Sequence, residues 1–319
     1  MNAALFDALA RIVGREWVRH RRAELLTYAM DGLPTHESVP GVVVMPGSPG
    51  EVREIVRLLH LIQVPFVARG AGTGLSGGAL ANAEAVLITL TRLNRILRVD
   101  PVQCRAVVQP GVVNARLSEA VAPFGLQYVP DPSSQAACTV GGNVAENAGG
   151  PHCLKYGVTT NHIVSLEVVL PDGSLTRLGS DQGDAWGPDL VGLFVGSEGM
   201  FGIATEITVR LERLPESVRT MLADFTTVRA ASEAVSSIIA AGIVPAALEM
   251  MDRACVAAVE ASIYAAGYPT DAAAVLLVEL DGQTDAVGAE AQMVRDILLH
   301  SGAREVRSAS AVADRARLW

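Results

Sequence analysis

The chain has 319 residues, half of them hydrophobic and 18% charged, with 30 glycines and a formal net charge of −9, which suits a folded α/β-type protein of one or two cores and excludes a disordered chain. The acidic balance argues against nucleic acid as a partner, because a phosphate-binding face needs a basic excess. No apolar run approaches the ~20 residues of a transmembrane helix, and an N-terminus carrying Asp7 and Glu16 lacks the pattern of a secretory signal.

Leu5, Leu9, Ile12 and Val13 predict an N-terminal helix, with Arg15, Arg19, Arg21 and Arg22 read as a solvated basic face. "GVVVMP" from Gly41 is a short strand, followed by a helix with Ser48 as N-cap, Pro49 at its first position and Glu51 closing a capping box. Val52, Ile55, Val56, Leu59 and Ile62 form its apolar face. "PFVA" is the next strand, then "RGAGTGLSGG" (Arg69 to Gly78), then strands "AVLITL", "RILRV" and "RAVVQ" and a helix through "VNARLSEAVAPFG". A polar stretch from Pro130 to about His162 reads as one long loop, and long ordered loops are disproportionately functional. "IVSLEVVLPDGSLTRL" is a hairpin turning at Pro171, Asp172 and Gly173, and "GIATEITVRL" adds a strand. From about Arg219 the order is strand, helix, strand, inserted helix, strand, helix, strand, the ferredoxin-like βαββαβ pattern. The helical pattern "ADRARLW" then reaches the last residue without a capping Gly or Asn, so a C-terminally truncated chain is expected.

Cys104, Cys138, Cys153 and Cys255 are scattered and the six histidines form no ligand pair, so reduced thiols and no metal site are expected. The glycine loop contains a GxGxxG match at Gly72, Gly74 and Gly77, but the Rossmann reading fails on context. Barely one helical turn separates it from "AVLITL", and that strand ends in Thr89, Leu90 and Thr91 with no carboxylate for a ribose. The remaining readings are a backbone nest for an anion, such as a pyrophosphate, and a plain flexible loop. Arg69 at its mouth and the Thr73 and Ser76 hydroxyls would add donors to a nest. A second glycine-rich stretch, "TVGGNVAENAGG" from Thr139, and a third, "SEGMFGI" from Ser197, favour a dinucleotide held at several points.

These residues carry a resemblance. "VVVMPGSPGEVREIV…VPFVARGAGTGLSGGA", "YVPDPSSQAACTVGGNVAENAGGPHCLKYG" and "GSEGMFGIATEITVRL" resemble the vanillyl-alcohol-oxidase (PCMH) type of FAD-binding domain, in the branch that holds glycolate oxidase FAD-binding subunits and D-lactate and D-2-hydroxyglutarate dehydrogenases. The resemblance implies an α+β fold: a two-lobed PCMH-type FAD-binding domain at 38–215, after an N-terminal helical segment at 1–37, and an incomplete ferredoxin-like cap domain at 216–319. Arg69, Gly70, Ala71, Gly72, Thr73, Gly74, Leu75 and Ser76 would wrap the FAD pyrophosphate. Pro130, Asp131, Pro132, Ser133 and Ser134, with Thr139, Gly141, Gly142 and Asn143, would line the flavin and ribityl region. Glu146, Asn147, Ala148 and Gly149 would continue that wall. Pro46 and Ile163 would lie on the adenine side, and Glu198, Gly199, Gly202 and Ile203 would complete the cradle.

Some relatives attach flavin through a His where Thr73 stands, so the implied FAD is non-covalent; Cys138, near another attachment point, reads as a small packed residue. The implied reaction is oxidation of a 2-hydroxy acid, glycolate or D-lactate, to the 2-oxo acid by hydride transfer to flavin N5. Electrons would pass to a partner or acceptor, with iron–sulfur and second FAD-domain subunits as implied partners. The expected location is cytoplasmic, with any attachment to the inner membrane made through partners. The family's catalytic His, its divalent-metal segment of the HxGDGNxH kind and its carboxylate-gripping Arg belong beyond Trp319, so no catalytic residue and no metal ligand is assigned in this chain. His152, Lys155 and His162 read as packing and hydrogen-bonding groups. The alternatives are an FAD scaffold that uses NADPH, as in UDP-N-acetylenolpyruvoylglucosamine reductase, and a flavin-binding fragment without activity.

Overall fold

The computed structural model describes residues 3–180 and 187–319. Contacts divide the chain into two units, Met1–Gly150 with Val158–Arg213, and Pro151–Gly157 with Leu214–Trp319.

The first unit begins with helix α1 (Ala3–Val13), strand β1 (Val18–Arg19) and the short helix α2 (Arg22–Leu25). Strand β2 (Val42–Val44), helix α3 (Pro49–Leu61), and strands β3 (Phe66–Arg69) and β4 (Val86–Thr89) follow. The strands form a sheet in the order β1-β2-β4-β3, parallel except for β1. Every residue of β2 and β4 is buried, as expected of parallel strands covered on both faces. One face packs on Val52, Ile55, Val56 and Leu59 of α3 and on Leu5, Leu9 and Val13 of α1. The N-terminal helix therefore packs into this core. Ser48 caps α3 by accepting from Glu51 N at 3.2 Å, while the Glu51 carboxylate takes the N–H of Gly47 at 2.7 Å in place of that of Ser48. Ile62 is 45% exposed because α3 ends at Leu61, before the apolar stripe is complete.

Strands β5 (Ile96–Asp100) and β6 (Arg105–Val108) open a second sheet, followed by helix α4 (Asn114–Val121), strand β7 (Leu126–Gln127) and helix α5 (Val140–Glu146). Helix α6 (Cys153–Tyr156) lies in the second unit. Strands β8 (Ile163–Val169) and β9 (Leu175–Gly179), helix α7 (Leu190–Phe194), and strands β10 (Ile203–Arg210) and β11 (Glu212–Arg213) complete the first unit. The second sheet is antiparallel, β5-β6-β10-β8-β9, and β11 pairs with β7. Its centre is pinned by a buried cross-strand bond from Ser165 Oγ to Thr208 Oγ1, 2.9 Å. The stretch from Pro130 to His162, read above as one loop, contains α5, α6 and a 3-10 turn at Thr159–His162.

The second unit adds strand β12 (Ser217–Phe225), helix α8 (Val228–Ala240), strand β13 (Ala247–Asp252), helix α9 (Arg253–Glu260), strand β14 (Ala274–Gly282), helix α10 (Thr284–His300), strand β15 (Ala303–Ala309) and helix α11 (Val312–Leu318). The order β13-β14-β12-β15, antiparallel throughout, is that of the ferredoxin-like pattern. Met221, Ala223 and Phe225 alternate onto the core formed with α8 and α10, and Leu222, Val275 and Leu277 face Val256 of α9 and Leu318 of α11. On that second face Glu279 is 6% exposed and accepts from His152 Nε2 (3.2 Å), Trp319 Nε1 (2.9 Å) and the Thr220 hydroxyl. Asp281 accepts from Lys155 and Tyr156. These bonds are why Pro151–Gly157 belongs with the second unit, although the sequence places it inside the first domain.

Candidate cofactor site

The first unit encloses a cavity of about 660 Å³, within the range of small-molecule and cofactor sites. Its walls come from the loop after β3, the first turns of α5, the chain before β10, and single residues from other elements. The structure gathers Arg69 through Ser76 here, together with Pro132, Ser133, Ser134, Thr139, Gly141, Gly142, Asn143, Glu146 and Ala148. Glu198, Gly199, Gly202 and Ile203 complete the group.

Six expected residues stand outside the lining. Pro46 is buried just past β2, and Ile163 is packed at the start of β8. The Pro130 carbonyl is taken by Asn114 Nδ2 at 2.7 Å. Asp131 packs against Gly150, where an added Cβ would lie 2.5 Å from Asp131 Oδ1. Asn147 ends α5 in the left-handed region (φ 50°) and accepts from Thr160 N at 3.0 Å, and Gly149 beside it also stays off the wall. Conversely, Asp31, Leu90, Pro110, Phe194 and Ala204 line the cavity and were not anticipated. Leu90 had one available signal, since it directly ends the strand beside β3 and donates its N–H to Arg69 O at 2.9 Å.

The loop supplies the donors. From Gly70 to Ser76 the backbone N–H groups find no acceptor among the described residues, and Gly72 takes φ +73°, the region that turns successive amides to one side. The first turn of α5 is different: Val140 N donates to Val112 O, Gly141 N to Pro110 O, and Gly142 N to Thr139 Oγ1. Its amides are committed to the protein, so the free backbone donors are those of the loop.

Two side chains expected to assist are committed elsewhere. The Arg69 guanidinium, 7% exposed, donates to the carbonyls of Tyr28, Ala79 and Met30, and burial lowers its pKa from the ordinary value. Ser76 Oγ donates to Glu146 Oε2 at 2.7 Å. Beyond Ser76 the loop turns acidic: Gly77 N donates to Asp31 Oδ2 at 2.9 Å, and a Cβ on Gly78 would sit 3.2 Å from both Glu146 Oε1 and Glu198 Oε2. Glu146 also borders Gly74, where a Cβ would lie 3.7 Å from its Oε1, so carboxylates flank the loop from Gly74 to Gly78.

The inner wall carries one diagnostic group. Asn143 is 2% exposed and its Nδ2 has no hydrogen-bond partner, a costly arrangement unless a ligand acceptor completes it. Nearby Cys138 is 4% exposed, and burial pushes its thiol pKa up, so it is neutral at pH 7. His162 is buried with its ring 6.3 Å from that of Tyr128. Together with His152 and Lys155, bonded to Glu279 and Asp281, it is part of the packing.

Residues 40–179 match the family model described as FAD binding domain, and residues 214–319 match that of the C-terminal domain of FAD linked oxidases. The chain belongs to the FAD-linked oxidases. Within the family, glycolate oxidase subunit GlcD of Escherichia coli (strain K12) is 50% identical over 302 residues, 95% of this chain and 60% of that one. GlcD of Bacillus subtilis (strain 168) is 40% identical over 304 residues, 95% and 64% of the two chains. D-lactate dehydrogenase of Anaerostipes hadrus is 33% identical over 287 residues, 88% and 60%. This FAD-linked oxidase chain thus spans 60% of the first and 64% of the second of these relatives. Two solved structures share its fold: alkyldihydroxyacetonephosphate synthase, with TM-score 0.85 at 22% identity over 99% of this chain and 63% of that chain, and p-cresol methylhydroxylase with substrate bound, with TM-score 0.81 at 18% identity over 96% and 65%.

Proposed function

We propose that the cavity binds FAD non-covalently, with the pyrophosphate against Gly70–Leu75, and that the protein oxidises a small 2-hydroxy acid such as glycolate or D-lactate. The observation that carries the cofactor half of this reading is the run of amides without acceptors from Gly70 to Ser76, opposite the unpartnered Asn143 Nδ2. A pyrophosphate needs several donors from one side, and a flavin edge offers carbonyl and nitrogen acceptors to an amide. The substrate half is supported by the relatives, which are named as a glycolate oxidase subunit and a D-lactate dehydrogenase.

In this reading residues 38–215 form the FAD-binding domain and 216–319 belong to the cap. Bound FAD supplies the hydride acceptor. Loop amides hold the phosphates, Asn143 orients the ring by donating to it, and Leu90, Phe194 and Ile203 keep water from that wall. The neutral Cys138 thiol presents no competing charge or nucleophile there. Thr73, with no ring or thiol to offer the flavin, leaves the attachment non-covalent. The protein works as a cytoplasmic subunit of a larger assembly, in which an iron–sulfur subunit and a second FAD-domain subunit take up electrons.

Anaerobic mixing of FAD-loaded protein with glycolate, D-lactate or NADPH, followed by the visible flavin absorbance, tests the reading. Bleaching by a 2-hydroxy acid is expected. Bleaching by NADPH alone overturns the substrate assignment, and a protein that stays colourless after FAD is added overturns the cofactor assignment.

A further inference from the structure

We infer that Tyr28–Leu33 is part of the cofactor site: an N-terminal strap that sets the shape of the glycine loop, with Asp31 and Arg69 as its positioning residues. The inference rests on the FAD reading and adds to it a segment that lies ahead of residue 40, where the matched FAD binding domain begins.

The strap is tied to the loop at its start, middle and end. At the start, Arg69 folds back under the loop, and its Nη2 donates to Met30 O at 2.8 Å. Its Nη1 donates both to Tyr28 O (3.3 Å) on the strap and to Ala79 O (3.2 Å) at the loop's far side. In the middle, Gly32 N donates to Gly74 O at 2.9 Å. At the end, Gly77 N donates to Asp31 Oδ2 at 2.9 Å, while Asp31 Oδ1 holds Leu33 N at 2.8 Å and so fixes the carboxylate's own orientation. The approach is close enough that a Cβ on Gly32 would lie 2.5 Å from Thr73 O and 2.9 Å from Gly74 O.

The strap is itself anchored. Leu25, just before it, packs with Val43 and Leu87 of the first sheet, and Ala29 is 1% exposed with its carbonyl accepting from Ser38 N at 2.9 Å. Rigid sheet, strap and loop thus form one chain of contacts.

The physical need is clear from the loop's composition. Five of the ten residues from Arg69 to Gly78 are glycine, so the free loop would sample many conformers and binding would have to freeze them. Carbonyls that turn towards the strap leave the amides of the same peptides turned towards the cavity. Thus the Gly32 N to Gly74 O bond fixes the Gly74–Leu75 peptide with Leu75 N–H away from the strap. The donors are set before the ligand arrives, which is the condition for strong anion binding without an exposed cation.

The test compares FAD with riboflavin, which has the same ring but no pyrophosphate, by flavin fluorescence on the purified chain. Asp31→Ala and Gly32→Ala are expected to raise the Kd for FAD about tenfold or more while leaving that for riboflavin within about twofold. Asp31→Asn, which keeps one acceptor oxygen, is expected to fall between wild type and Asp31→Ala for FAD. Far-UV circular dichroism selects folded variants, and Asp31→Asn alone suffices if the alanine variants do not fold. Unchanged FAD affinity, or equal losses for FAD and riboflavin, overturns the inference. Failure of the wild type to bind FAD overturns the cofactor reading instead.

Discussion

A Cβ on Gly72 would lie 2.5 Å from Arg69 Cζ, so the tightest bend of the glycine loop rests directly on the guanidinium of the residue that opens it. Gly72 also has φ +73°, where an L side chain costs ~1–2 kcal/mol. Gly72→Ala must therefore move both the bend and Arg69. The expected outcome is a Kd for FAD raised about tenfold or more, read by titrating the purified protein and following flavin fluorescence. Wild-type affinity would show that the bend does not touch the cofactor.

Gly70 stands against Thr139, whose Oγ1 a Cβ at position 70 would overlap. Gly70→Ala is expected to weaken FAD binding by forcing the loop away from α5. Thr139→Ala removes the obstructing oxygen but also the cap bond to Gly142 N, costing ~1 kcal/mol of stability. The double variant should bind FAD better than Gly70→Ala alone, a non-additivity that a double-mutant cycle measures. Strict additivity would mean that the two positions do not interfere.

Asn143 gives a prediction that separates binding from folding. Its Nδ2 makes no hydrogen bond of standard geometry, although the side chain interacts with the buried Cys138 thiol; in the proposed reading that donor serves FAD more than folding. Asn143→Asp replaces the donor with an acceptor of nearly equal size. The FAD-induced rise in melting temperature should shrink by the equivalent of ~1–3 kcal/mol. An undiminished rise would remove Asn143 from the ring contacts.

Much of this architecture is written locally. Ser48 and Pro49 mark the start of α3, Pro171 to Gly173 mark the β8–β9 turn, and the βαββαβ order of the second unit follows from its periodicities. Helix α5 was hidden because two glycines in its first turn oppose helix formation. It forms because Val112 O, Pro110 O and Thr139 Oγ1 accept its leading amides and Val140 and Val144 are buried. None of those acceptors except Thr139 is adjacent in sequence. The glycine loop itself was legible, but the direction of Arg69 was not. Its acceptors Tyr28 and Met30 lie 41 and 39 residues upstream, and nothing near residue 69 encodes them. Asp31 escaped notice for the same reason.

Acid should act on the second unit through Glu279. Burial alone would push its carboxyl pKa up, but hydrogen bonds from His152, Thr220 and Trp319 outweigh that and hold it at about 2, against an ordinary 4.5. A lowered folded-state pKa contributes stability that is present above the unfolded value and lost as pH falls through the folded one. The second unit should accordingly weaken between pH 4.5 and about 2. In Glu279→Gln, which cannot titrate, the slope over that window should flatten and the stability at pH 7 should drop. Chemical unfolding at stepped pH, followed by tryptophan fluorescence, reads both changes; an unaltered slope would dismiss Glu279 as the titrating group.

The assignment of Pro151–Gly157 to the second unit has a consequence for how the protein can be taken apart or rebuilt. The backbone passes from one unit to the other three times, at 150/151, 157/158 and 213/214. A single protease cut near residue 213 would leave the 214–319 piece without a covalent link, held through the contacts of His152, Lys155 and Tyr156 with Glu279 and Asp281. A cassette exchange that grafted a foreign cap at that point would separate Glu279 and Asp281 from the His152, Lys155 and Tyr156 side chains they bind. Exchange of the second unit by recombination therefore requires two insertions that match each other.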